Sequence, residues 1–322
     1  MTKLPRLLLS VLAVLAFGAS APPAIAGEKR EPKLVAITFD DLPFASATSE
    51  ARSDAVRVNK SIRKVLVRQR VPATGFVTEK NVQALREDGP LMLRSWMRDG
   101  LELGNHGATH ADSNDLDVAG VRQEIVAGES TIAPLAKEFG RRIAFYRFAY
   151  NHVGNTEAKR SAMEALLSER GYRLAASTID TSDYLFDQAY RRAAGNPAMQ
   201  RRIEEAYLDH SRAQILYYGA LNQQVLGREP PAVLVLHMNR LNAATLEPLL
   251  AIFRSEGFRF VSLDRAQADD AYRTAPAVAT PFGPMWGYRW ARERGVRVDG
   301  SKEQEPPAWL RTFAESGTIV AQ

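Results

Sequence analysis

Seven short apolar runs punctuate the chain, at residues 34–39, 74–77, 101–104, 144–148, 174–179, 233–236 and 258–263. Most are rich in β-branched or aromatic residues and are bounded by Gly, Pro or charge, the pattern of buried strands. Between them lie segments of helical periodicity at 53–69, 118–139, 157–170 and 243–255. Gly140, Gly171 and Gly257 stand just past three of these, where a left-handed C-terminal residue is expected. Regular alternation of strand and helix predicts an α/β fold with a parallel sheet and crossover helices. Seven strand candidates suit a closed or partly closed barrel better than an open sheet.

Two stretches depart from this rhythm. Residues 184–228, between the fifth and sixth candidates, carry no strand signal, and Gly195-Asn196-Pro197 divides them into two helices. The second helix has apolar residues at Met199, Ile203, Tyr207, Tyr217, Leu221 and Val225, near helical spacing. This insertion is either a lid or a helix pair that packs the barrel. After Ala271 the chain turns rich in Pro and aromatics, with Trp286 and Trp290 close together. That spacing predicts an extension, 273–322, folded back on the body, with mobility from Glu303 onward.

The N-terminus has Lys3 and Arg6, then an almost purely apolar stretch at 7–17, then small residues ending in Ala24-Ile25-Ala26. This is the pattern of a secretory signal over 1–26, with cleavage before Gly27 or one motif earlier, after Ala21. The apolar core is short for an uncleaved membrane anchor of ~20 residues. A periplasmic or secreted protein with no stable membrane span after cleavage is expected. The chain has 0 Cys, so it can use neither disulfides nor thiolate ligands, and any metal site must be built from His and carboxylates. The formal charge of +5 falls to about +3 without Lys3 and Arg6. Its Arg pairs are isolated and not interleaved with aromatics, which argues against a nucleic-acid surface.

The chemistry-bearing residues cluster where the strand runs end. Asp40-Asp41 follow the first run, His106 and His110 follow the third, and His237 ends the sixth. On a helical turn a four-residue spacing would place His106 and His110 on one face. Two imidazoles and one carboxylate make a ligand set that leaves positions open for water and substrate. Such a metal lowers the pKa of bound water from about 15.7 toward ~7. An imidazole at a strand end, His237, suits proton transfer. Arg147, inside Phe145-Tyr146-Arg147-Phe148, needs a carboxylate partner if buried, and Asp40 is the natural one. His210 lies on the apolar stripe of the insertion and is expected to be a core histidine.

Thr38-Phe39-Asp40-Asp41, Asn105-His106-x-x-x-His110, Arg147-x-Ala149-Tyr150, Asp180-x-x-Asp183-Tyr184 and Leu234-x-Leu236-His237 resemble, in order, the five motifs of the polysaccharide deacetylases, the NodB-homology or carbohydrate esterase family 4 group. The resemblance covers residues 33–271 and implies a catalytic domain over 27–272. It implies a distorted (β/α)7 barrel with its site at the C-terminal strand ends. It further implies that Asp41, His106 and His110 hold a divalent metal, usually zinc, with cobalt, nickel or manganese as alternatives. Asp40 would be the general base, His237 the acid, Arg147 the tether of Asp40 and Asp183 the orienting partner of His237. The Tyr150 backbone N–H would stabilise the oxyanion, an effect worth about 3 kcal/mol. Tyr184 would line the acetyl pocket, and His152 is a further candidate for substrate contact. Ala149, Tyr184 and Gly107 depart from the usual Pro, Trp and Ser/Thr, so substrate and rate are less defined than reaction type. The expected reaction is removal of N-acetyl groups from an amino-sugar polymer or oligosaccharide. The alternatives are O-acetyl ester or small-amide hydrolysis on the same fold, or a catalytically silent carbohydrate-binding homologue. Oligomeric state is not legible.

Overall fold

Each apolar run contributes a strand, and every pairing is parallel. The structure, a computed structural model, describes residues 1–2 and 32–317, so the 1–26 signal expectation lies almost wholly outside the described residues. The strands are β1 (Lys33–Leu42), β2 (Ala73–Val77), β3 (Glu102–Asn105), β4 (Phe145–Tyr146), β5 (Arg173–Leu174), β6 (Ile179–Asp180), β7 (Ala232–His237) and β8 (Phe258–Val261). Their spatial order is β5-β4-β3-β2-β1-β7-β6, and β8 pairs with the start of β1. Central strands covered on both faces read as continuous apolar runs, which explains Val35–Phe39 and Val233–Leu236.

The fifth run is where the barrel closes. β5 and β6 are the two ends of one stretch, 173–180, and they sit at opposite ends of the strand order. At one end the Ala175 N–H donates to Tyr146 O (2.8 Å); at the other the Thr178 N–H donates to Val233 O (3.0 Å). A single distorted segment therefore joins both edges of a seven-membered curled sheet. This is the distorted (β/α)7 barrel expected.

The helices follow the expected segments with one difference. The segment 118–139 breaks at Gly128 into Val118–Ala127 and Glu129–Glu138. A Cβ at position 128 would lie 2.4 Å from Asn105 Oδ1, so close packing on the β3 end requires the glycine. Gly140, Gly171 and Gly257 all have positive φ (62°, 72° and 83°), as a left-handed helix end demands.

The insertion forms helices Asp183–Arg192 and Pro197–Leu226. Asn196 caps the second by accepting the Met199 N–H, and Pro197 sits in its first turn, where a missing donor costs nothing. Its buried stripe runs Met199, Ile203, Tyr207, His210, Gln214, Tyr218, Leu221 and Val225; Tyr218 rather than Tyr217 faces inward. The helix packs on Arg240–Ser255 and Trp286–Glu293, so the insertion packs the barrel wall. His210 is buried there with its ring 5.4 Å from that of Phe186.

The C-terminal extension folds back as expected. Trp286 and Trp290 are buried and meet edge to face at 5.7 Å, both against Tyr272. The expectation of mobility from Glu303 is corrected over the described residues 303–317. Helix Ala308–Ser316 buries Leu310, Phe313 and Ala314 against Asp183–Arg192, and Glu303 accepts the Tyr288 hydroxyl at 2.6 Å. Apolar burial of this kind outweighs the entropy of ordering a tail.

Candidate active site

Strand register assembles the first pair of groups. Asp40 at the end of β1 lies opposite His237 at the end of β7. A regular strand would send Asp40 and Asp41 to opposite faces. Asp41 instead has left-handed backbone (φ 63°), and the β1–β2 register shifts between Phe39 and Leu42. That break lets both carboxylates serve one site. Thr78 Oγ1 donates to Asp41 Oδ1 (3.1 Å) and fixes it.

Arg147 is buried, as its pairing requires. Its Nη1 donates to Asp40 Oδ1 (2.7 Å) and Thr38 Oγ1 (2.8 Å), and its Nη2 to Ala176 O (2.8 Å) in the closing segment. The guanidinium stacks over Phe76 at 4.3 Å. Burial pushes the Asp40 carboxyl up, but Arg147, with His106 and His237, outweighs it and holds Asp40 below its ordinary value. Asp40 is therefore an oriented carboxylate at neutral pH.

The histidine pair is built differently from the helical turn expected. Residues 106–110 form a loop in which Gly107 (φ 88°) and His110 (φ 61°) are left-handed. This loop brings the two rings to 5.0 Å. The Gly107 N–H donates to Asn105 Oδ1 (2.8 Å), and Glu124 accepts the N–H groups of Ala108 (3.0 Å) and Thr109 (2.9 Å). His106 Nδ1 lies 2.8 Å from Arg147 O. A carbonyl can only accept, so Nδ1 carries the proton and Nε2 presents its lone pair to the site. Burial, then the neighbouring His106, push His110 below its ordinary pKa and keep its ring neutral.

Asp41, His106 and His110 each offer a donor atom, and the three lie within 4.8 Å of one another. They are the one such cluster found among the described residues. A hard carboxylate with two borderline imidazoles fits a zinc-like divalent ion, and the donor chemistry, the closeness and the bond fixing His106 all agree with that use.

Across from it, His237 Nδ1 donates to Asp183 Oδ1 (2.7 Å). Asp183 is fully buried and also accepts the His237 N–H (2.8 Å) and the side-chain amides of Asn239 (3.0 Å) and Asn242. Burial lowers the His237 pKa, but Asp183 outweighs it and lifts the ring to about 10. The ring is therefore an imidazolium at neutral pH, with Nε2 as the free donor. Tyr184 meets His237 edge on at 6.2 Å and Tyr150 meets His110 at 4.8 Å, and both tyrosines are more than half exposed. His152 lies 5.7 Å from Tyr150, ring to ring, with Nδ1 2.7 Å from Asp112.

The fold thus gathers Asp40, Asp41, His106, His110, Arg147, Asp183 and His237 at one mouth, with Tyr150, Tyr184 and His152 around it. Thr38, Glu124, Asn239 and Asn242 hold that group in place and were missed by sequence reasoning. Two of them carried a signal: Thr38 stands in the first motif, and Asn239, next but one after His237, caps helix Arg240–Ser255.

The sequence of residues 27–173 matches a family model described as polysaccharide deacetylase. Over that stretch the chain is similar to the polysaccharide deacetylases. No curated protein matches the chain. Among solved structures, the chain is similar to a CE4 family pseudoenzyme from Bacillus anthracis, at 13% identity over 73% of this chain and 66% of that one, with a TM-score of 0.50. A mutant of that pseudoenzyme with restored enzymatic activity is 15% identical over 73% and 68%, also at 0.50. The peptidoglycan deacetylase PdaC from Bacillus subtilis is 19% identical over 74% and 91%, at 0.48. The likeness to the pseudoenzyme is one of fold. The matched deacetylase segment contains Asp40, Asp41, His106, His110 and Arg147 and stops short of Asp183 and His237.

Proposed function

We propose that this protein is a metal-dependent hydrolase that removes N-acetyl groups from an amino-sugar polymer or oligosaccharide. The observation that carries the reading is the convergence of the Asp41–His106–His110 donor cluster with an ionised Asp40 on one side and a protonated His237 on the other. A divalent ion, zinc by preference, would be held by Asp41, His106 and His110, and when bound it supplies Lewis acidity toward an acyl oxygen and water. Asp40, kept ionised by Arg147, takes the proton from the attacking water as general base. His237, kept protonated by Asp183, gives its proton to the departing amine as general acid. Two titratable groups whose neighbours push them to opposite protonation states divide the acid and base roles. The Tyr150 backbone N–H assists at the developing oxyanion. Tyr150 and Tyr184 offer exposed ring faces beside the reacting groups, suited to a sugar ring and an acetyl methyl.

The same reading takes residues 1–26 as an export signal, 27–272 as the catalytic domain and 273–322 as an extension. No helix among the described residues is long and apolar enough to cross a membrane. The test is acetate release from N-acetylglucosamine oligomers by zinc-loaded protein, compared with chelated protein and with Asp40→Asn. Activity abolished by both supports the mechanism. Confirmed activity that survives both refutes it. A second reading, a silent carbohydrate-binding homologue, draws on the pseudoenzyme character of the Bacillus anthracis neighbour, and sugar binding without turnover under any metal would favour it.

A further inference from the structure

Tyr150 and Asn151 are consecutive non-glycine residues in left-handed backbone (φ 58° and 55°), a conformation that L residues adopt only when their surroundings impose it. The surroundings come from the C-terminal extension. Arg289 is buried, and its guanidinium donates to three backbone carbonyls: Pro284 O (3.0 Å), Val278 O (3.4 Å) and Asn151 O (2.8 Å). It has no ion-pair partner among the described residues. A Cβ added to Gly283 would lie 1.7 Å from Tyr150 O, so the extension packs backbone to backbone on that carbonyl. The Thr280 N–H donates to Gly154 O (3.1 Å), and the Trp286 N–H donates to Ser177 O (2.8 Å). The Ser177 hydroxyl in turn donates to Asn151 Oδ1 (2.8 Å). Buried Trp286 and Trp290 anchor the whole strap.

We propose that Arg289 and Gly283 are positioning residues for the proposed reaction: the strap 278–289 locks the Tyr150–Asn151 turn so that the Tyr150 amide is aimed at the reacting acyl group. The proposal rests on the deacetylase reading for its catalytic consequence. A buried guanidinium without a carboxylate is costly, and burial lowers its pKa to about 10. That cost is offset by three carbonyls held at once, one of them in the turn that carries Tyr150. The lock differs from ordinary core packing because it acts on backbone groups of an exposed rim residue.

The test uses the full chain. Arg289→Met lowers kcat roughly 10- to 100-fold, the size expected when a reacting group is misplaced by an ångström or a donor is lost. KM and zinc affinity, the latter by calorimetry, stay within about twofold. Arg289→Lys restores part of kcat, because an ammonium can still reach one or two of the carbonyls. Amide hydrogen exchange across 149–152 accelerates in Arg289→Met and not in Arg289→Lys. Should Arg289→Met fail to fold, Gly283→Ala, which pushes Tyr150 O away without touching the core, gives the same losses. An inactive wild type whose exchange still responds to these variants refutes the deacetylase reading and leaves the lock standing. Unchanged exchange in a folded Arg289→Met or Gly283→Ala, or unchanged kcat in an active enzyme, overturns the lock.

Discussion

Replacing Asp183 by Asn separates the charge beneath His237 from its geometry. The carboxylate is fully buried and accepts from His237 Nδ1, the His237 N–H, Asn239 and Asn242. An amide has one acceptor oxygen and two donors of its own, so it cannot accept from all four. One or more buried donors lose their partner, at about 1–3 kcal/mol each. The larger effect is electrostatic. His237 sits near pKa 10 because of Asp183, against an ordinary 6.5. If the ring returned fully to 6.5, its protonated fraction at pH 8 would fall from nearly all to about 3%, a loss of up to about 30-fold in an acid-dependent rate. A cation held at Asp41, His106 and His110 would lower the starting value, so the metal-loaded protein would show less than this limit. The sign for stability follows from the raised native pKa. The interaction contributes fully below about pH 6.5 and is lost as pH rises through about 10, so the wild type loses this contribution in alkali and the variant has little to lose. The assay is NMR titration of the His237 imidazole in both proteins, with pH–rate profiles of acetate release beside it. An unmoved His237 titration in a folded Asp183→Asn protein would refute the argument.

Three further outcomes are expected. Arg147→Met strands a buried Asp40 carboxylate and costs about 3–5 kcal/mol in urea denaturation, less at low pH where Asp40 protonates; equal loss at all pH values would contradict the pairing. His110→Ala removes one of three donors and weakens zinc binding by roughly 100-fold or more in calorimetry, with little effect on thermal stability of the metal-free protein. Trp286→Ala opens the barrel wall beneath the extension and costs about 3–5 kcal/mol in the same denaturation assay, with zinc affinity unchanged.

The strand ends were legible because they are the places where a continuous apolar run meets a titratable residue. Asp40, Asp41, His106 and His237 announce themselves in that way, and the partnership of Arg147 with Asp40 follows from the cost of burying a lone guanidinium. The His106–His110 loop was misjudged because a four-residue spacing is equally served by a turn with two left-handed residues, and only Gly107 hinted at that. The closing segment 173–180 read as one strand since nothing in its composition says which end pairs with which edge. Glu124, Asn242 and Arg289 were invisible because each has a decisive partner distant in sequence (the Ala108 and Thr109 N–H groups, the Asp183 carboxylate and the Asn151 carbonyl), and nothing in the local pattern names such a partner. The tail from Glu303 was undervalued for a related reason: its Leu310 and Phe313 are too few to show a pattern, yet both are buried where their helix packs on Asp183–Arg192.

The stretch that pairs with both sheet edges also accepts a bond from Arg147 and leads, three residues later, into Asp183. It works like the clasp of a bracelet: opened at either end, it frees the partner of Asp40 and the support of His237 together. Chain insertions or protease cuts near Ala175–Ser177 should therefore silence the whole mouth in one step, whereas surface turns such as the one at Gly195 are the sensible places to graft tags.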